Sequence, residues 1–136
     1  MGSEFSDDVT GGDGVITIEL SWPDKRLSPN SRVHRQLVAR EKSLQRNVAK
    51  LRAWEQGYKK LVNVEGSYEI EYIFHPPDRR KRDIDNCLSM MKAAQDGVCD
   101  FLEVDDYRIK RTVLEWGEVV KGGKVVLRLE EMDEDN

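Results

Sequence analysis

The sequence predicts an α/β domain of the α+β kind, ordered β-α-β-α-β-β, with two main helices packed on a mixed sheet. Three observations carry this. Tyr68 to Phe74 alternates well enough for a half-buried strand, Tyr68, Ile70, Tyr72 and Phe74 on one face and Glu69, Glu71 and Ile73 on the other. Residues 32–56 repeat apolar residues at helical spacing. Lys121-Gly122-Gly123-Lys124 is a turn signal ahead of a further apolar run.

Each element has its own justification. From Val15 to Leu20, Ile16, Ile18 and Leu20 alternate with Val15, Thr17 and Glu19, which reads as the first strand. Pro23 removes a backbone donor and ends pairing. The loop Lys25 to Ser31 closes on Asn30 and Ser31, either of which suits a helix N-cap. The first helix, 32–56, is expected to bury Leu37, Leu44, Val48, Leu51 and Tyr58, with Trp54 on the same side. Arg40, Lys42, Arg46, Lys50 and Arg52 fall largely off that stripe, and Gly57 is the expected stop. The second strand faces Tyr68, Ile70, Tyr72 and Phe74 one way, and Pro76-Pro77 ends it. Residues 85–99 read as one second helix with Ile84, Leu88, Met91, Ala94 and Val98 on its apolar side. Tyr107 to Trp116 reads as the third strand, and Val125 to Leu129 as a last strand pairing back on it through the glycine turn. There is no internal repeat.

At 136 residues the chain suits a single core. The domain is placed at residues 14–130. Residues 1–13 and 131–136 read as acidic tails expected to be disordered, the opening Met1 to Phe5 resembling a vector-derived leader. No apolar run approaches bilayer length, so no membrane partner is expected. No secretory signal is visible, and a cytoplasmic location is the expectation. Cys87 and Cys99 form no CxxC, and with only His34 and His75 beside them a zinc site is not expected; both cysteines read as buried helix residues. The net charge is −4, but nine acids lie in residues 1–13 and 130–136, and removing them takes the remainder to +5. Residues 24–60 hold eleven Lys or Arg against three Asp or Glu. A local basic face governs contact with a polyanion more than the whole-chain sum does.

The chemistry-bearing stretch is Arg79-Arg80-Lys81-Arg82 followed by Asp83-Ile84-Asp85-Asn86, with Asp105-Asp106 about twenty residues on. Cations in a row attract a polyanion. The carboxylates beside them would repel it unless they hold a cation of their own. Asp83 and Asp85 are two apart, which in extended backbone points both side chains the same way. An all-oxygen donor set suits Mg²⁺, with Mn²⁺ possible. Asp85, Ser89, Lys92 and Asp96 follow one helix face, on which Lys92 either reaches a phosphate or steadies a carboxylate. One of Asp105 and Asp106 is expected to complete the cage. Each motif alone has an ordinary explanation: Asp83 or Asp85 as a helix cap, the basic run and the helix cations as solvated surface. Their ordered combination is more specific.

These residues also carry a family likeness. Asp78 to Asn86, Lys92-Ala93-Ala94-Gln95-Asp96 and Asp105-Asp106 together resemble the RusA-type Holliday junction resolvases, small endodeoxyribonucleases often carried by phages and prophages. Ser21 to His34 is similar to that family's opening strand and loop, so the likeness runs from about residue 15 to residue 130. It implies a RusA-like homodimer that binds four-way DNA junctions and cuts two strands symmetrically with Mg²⁺. Asp83 and Asp85 match the family's first two catalytic aspartates, and Asp106 the third. Where some members carry a functional lysine, four residues past the second aspartate, this chain has Ser89; the role passes to Lys92, almost one helical turn further on.

The expected function is therefore Mg²⁺-dependent, structure-selective endodeoxyribonuclease activity on branched DNA. Asp83, Asp85 and Asp106 are the metal ligands and Lys92 the fourth catalytic group. Arg79, Arg80, Lys81, Arg82, Lys25, Arg26, Arg32 and Arg35 are the expected DNA contacts, which grip phosphates without reading sequence. The main rival is a non-catalytic nucleic-acid-binding module with the same basic surface. An Asp-x-Asp nucleotide-sugar transferase is disfavoured by the short chain and the lack of a phosphate-cradling glycine loop. A plain interaction protein with a charged surface is the remaining alternative.

Overall fold

The computed structural model describes residues 15–56 and 65–132. Its elements are β1 (Val15–Ser21), a 3₁₀ turn (Lys25–Leu27), α1 (Arg35–Gln56), β2 (Tyr68–His75), α2 (Ile84–Ser89), α3 (Lys92–Leu102), a second 3₁₀ turn (Asp106–Arg108), β3 (Ile109–Trp116) and β4 (Lys124–Glu131). The fold is α+β: a four-stranded mixed sheet in the order β1-β4-β2-β3 with three α-helices. Gly57, Tyr58 and most of the two expected tails lie outside the described residues. Glu131, assigned from sequence to the C-terminal tail, is instead the last residue of β4.

The predicted alternation holds in β1 and β2, and β4 alternates in burial as well. Ile16, Ile18 and Leu20, then Tyr68, Ile70, Tyr72 and Phe74, then Val125, Leu127 and Leu129 are all buried on one face. Phe74 centres an aromatic row, 5.9 Å from Tyr72, 6.1 Å from Trp116 and 6.2 Å from Trp22 between ring centroids. Fully burying a side chain such as Tyr72 or Phe74 is worth roughly 1.5–3 kcal/mol, so the buried centre of this row is a main anchor of the sheet.

The hairpin expected between the last two strands does not form. β3 pairs parallel with β2, and β4 pairs antiparallel with both β2 and β1. The chain leaves β3 at the sheet edge, passes the end of β2 and enters between β2 and β1. The glycine signal marks the end of that passage. Gly122 (φ 80°) and Gly123 (φ 75°) are left-handed, and a Cβ on Gly123 would stand 2.9 Å from Trp22 Cβ.

The two helical predictions need correction. α1 begins at Arg35, and neither Asn30 nor Ser31 caps it; His34 Nδ1 accepts from Gln36 N at 3.1 Å. Its predicted core stripe is turned outward: Leu37, Leu44, Val48, Leu51 and Trp54 are all exposed, while Ala49 and Ala53 are buried. The reason is close packing on α3. Gly97 lies so near α1 that an added Cβ would clash with the Arg46 carbonyl oxygen. Only small residues fit such a crossing, so the large side chains occupy the opposite side. The single helix expected over 85–99 is two, α2 and α3, interrupted at Met90–Met91.

Candidate active site

Two loops and an interrupted helix bring the candidate residues forward. The segment after β2 is an exposed connector whose shape is set internally. Asp78 Oδ1 accepts from Arg80 N (3.1 Å) and Arg82 Nη2 (2.8 Å), and Arg82 Nη1 donates to the carbonyls of Asp78 (3.1 Å) and Arg80 (3.2 Å). These bonds hold the Asp78 carboxyl down at about 2, the backbone N–H of Arg80 contributing most. Arg82 also stacks over the Trp22 ring at 5.5 Å, and its side chain is only 17% exposed. Of the four expected phosphate contacts here, Arg82 is thus a loop-shaping residue, while Arg79, Arg80 and Lys81 stay exposed.

The same division holds in the first loop. Arg26 is bonded to Asp24 by Nε (2.9 Å) and Nη2 (2.8 Å), and to Glu41 of α1 at 3.0 Å. It ties the loop to the helix, and its bonds hold the Asp24 carboxyl down at about 2. Lys25, Arg32 and Arg35 are exposed. Lys25, Arg80, Lys81 and Arg82 line one groove of about 1000 Å³ with Trp22, Asn86 and Asp83.

Asp83 occupies the N-cap position of α2 in extended backbone (φ −92°, ψ 129°), yet its side chain makes no cap hydrogen bond. That removes the ordinary explanation of this aspartate as a cap. Asp85 follows in the first turn, where its backbone carbonyl accepts from Ser89 Oγ at 3.1 Å. Both carboxylates are exposed and have no hydrogen-bond or ion-pair partner among the described residues.

Asp106 is in a different state. It opens the 3₁₀ turn before β3, and Asp105 caps that turn by accepting from Tyr107 N. Lys92 Nζ donates to Asp106 Oδ2 at 2.8 Å and to Asp96 Oδ1 at 3.0 Å. The Asp106 bond, then the Asp96 bond, raises the Lys92 ammonium above its usual range, and Lys92 in turn lowers the Asp106 carboxyl. Lys92 therefore steadies a carboxylate, one of its two expected uses. Asp96 joins the cluster from the helix face it was expected to share with Lys92, at i, i+4 spacing, though it was not among the expected site residues.

The donor chemistry of Asp83, Asp85 and Asp106 suits a hard divalent cation. Their assembly is incomplete: among the described residues no group of three or more His, Cys, Asp or Glu is gathered to hold a metal. Cys87 and Cys99 are free and buried as expected, with burial pushing the Cys99 thiol up to about 12. Neither is a ready nucleophile. Among the described residues no helix is long and apolar enough to cross a membrane.

No family model matches the chain. It is 36% identical over 122 residues to an uncharacterized protein of Xylella fastidiosa (strain Temecula1 / ATCC 700964), across 89% of this chain and 80% of that protein. The chain belongs to the same family as that protein.

Proposed function

We propose that the protein is a Mg²⁺-dependent, structure-selective endodeoxyribonuclease of the RusA type that resolves four-way DNA junctions by paired phosphodiester hydrolysis. The observation that carries this reading is the pair Asp83 and Asp85: two carboxylates without a hydrogen-bond or ion-pair partner among the described residues, the first opening on a groove lined by Lys25, Arg80 and Lys81. Uncompensated anions beside a cationic floor weaken binding of a polyanion and make sense where a cation is to be held. Asp83, Asp85 and Asp106 are the residues that would hold it. Bound Mg²⁺, or Mn²⁺, supplies charge stabilisation at phosphorus and a more acidic attacking water.

The chain's own residues do the rest. Arg79, Arg80, Lys81, Lys25, Arg32 and Arg35 hold phosphates and position the backbone. Lys92 carries positive charge next to Asp106, where it offsets charge developing on the phosphoryl oxygens. A homodimer matches the two-fold symmetry of a four-way junction. The exposed stripe Leu37, Leu44, Val48, Leu51 and Trp54 supports pairing through α1. Function in the cytoplasm, where branched DNA arises in a bacterium, belongs to the same reading.

The test is direct. Labelled four-way junction and linear duplex are incubated with the purified protein, with and without Mg²⁺, and products are mapped. Symmetric, ligatable nicks in the junction alone, only with Mg²⁺, are expected. Tight binding indifferent to Mg²⁺, with no cleavage, would return the protein to the binding-module class.

A further inference from the structure

The interruption at Met90–Met91 leaves backbone groups that an unbroken helix would satisfy. Met91 stands at the N-cap of α3 and its side chain accepts no cap hydrogen bond. The missing partner comes from another helix. Gln45 of α1 donates from Nε2 to the Met90 carbonyl at 3.0 Å and accepts at Oε1 from Ala94 N at 3.1 Å. One side chain thereby closes the end of α2 and the start of α3, and Lys92 lies between its two contacts.

The surrounding contacts fix the same short stretch. Arg46 Nε donates to Asp100 Oδ2 at 2.6 Å, and the Arg46 carbonyl packs on Gly97. On the sheet side, the Tyr72 hydroxyl donates to Gln95 Oε1 at 2.7 Å. The first turn of α3 is thus held from two directions, and its one charged product is the Lys92 ammonium between Asp96 and Asp106. At the interruption Met90 (φ −75°, ψ −9°) and Met91 (φ −99°, ψ 3°) depart from regular helical dihedrals, so Lys92 does not follow the regular rotation from Asp85.

We propose that Gln45 is a positioning residue of the candidate site: by splinting the Met90–Met91 interruption it sets Lys92 on Asp106, with Asp96 as the second support. The catalytic consequence rests on the nuclease reading; the placement of Lys92 does not.

The experiment uses the full chain as Gln45→Ala, Lys92→Ala and the double variant. Single-turnover junction cleavage with Mg²⁺, junction affinity and the Lys92 side-chain ammonium and Cε resonances are measured. Gln45→Ala is expected to slow cleavage about tenfold, the range of lost supporting contacts, with affinity unchanged. In the Lys92→Ala background it should cost nothing further, because its effect passes through Lys92. The Lys92 resonances should move toward those of a solvated lysine. An equal rate loss in both backgrounds, or unmoved Lys92 resonances, overturns the proposal. If the alanine variant does not fold, Gln45→Glu replaces it: the carboxylate still accepts from Ala94 N but cannot donate to Met90, so a smaller shift of the same resonances is expected, and none overturns the proposal. If the wild type does not cleave, the nuclease reading falls, and the resonances alone decide the placement of Lys92.

Discussion

Asp83 with Asp85, and Asp96 with Asp106, are two acidic pairs in opposite electrostatic states. The first has no partner among the described residues and borders a cationic groove. The second shares the Lys92 ammonium at 3.0 and 2.8 Å. The contrast teaches that one pair is open to an external cation, as the proposed metal site requires, while the other already has one built into the chain. A metal-dependent site needs the first state at its ligands and tolerates the second only where the internal cation can share or yield its partner.

Removing charge from the open pair should have the largest effect. Asp85→Asn is expected to lower Mg²⁺-dependent junction cleavage by about 10²-fold or more, the scale of a lost charge-stabilising group, while gel-shift affinity holds or improves. Equal loss of cleavage and binding would make Asp85 a folding residue. In the closed pair, Lys92→Ala should cost roughly tenfold or more in single-turnover rate and little in affinity. An unchanged rate would reduce Lys92 to a surface ion pair.

The cationic floor divides in the same way. Neutralising Arg79 and Arg80 together should weaken junction binding and flatten the salt dependence by about two in slope. Arg82→Gln should leave that slope nearly alone and lower thermal stability instead, by about 1 kcal/mol, because its bonds run within the loop. A common response to both substitutions would erase the distinction between exposed and loop-shaping arginines.

The smallest effect is in protonation. Lys92 depresses the Asp106 carboxyl. A carboxyl depressed in the folded state adds stability that is complete above the ordinary aspartate range and is lost as pH falls through its lowered value. Carboxyl ¹³C titration should find Asp106 protonating below that range, and Lys92→Ala should return it there. No difference between the two proteins would mean that the ion pair does not persist in solution.

β1 and β2 were readable because a half-buried sheet imposes a period of two, which the burial of Tyr68 to Phe74 follows even though Ile73 breaks it in sequence. The α1 stripe misled because periodicity marks where large apolar residues lie, not which face is buried. Here Ala49, Ala53 and Gly97 decided the packing through closeness of approach, and small residues give little hydropathy signal. The hairpin was misread because the Gly122-Gly123 turn is local while strand order is not. In the candidate site the charged types and the Lys92–Asp96 pair were legible from spacing. Arg26 and Arg82 were not legible as structural residues, since a cation tied to its own loop and a free one look alike in sequence. The role of Gln45 was hidden altogether, because its partners are 45 and 49 residues away.

The two pairs belong to one site if a single cation addresses both. Mg²⁺ titration of the full chain, followed by the carboxyl ¹³C signals of Asp83, Asp85 and Asp106, measures this directly. All three signals should move with one midpoint, and that of Asp106 should move as Lys92 loosens. Independent midpoints, or movement of Asp83 and Asp85 with Asp106 unchanged, would contradict the shared site.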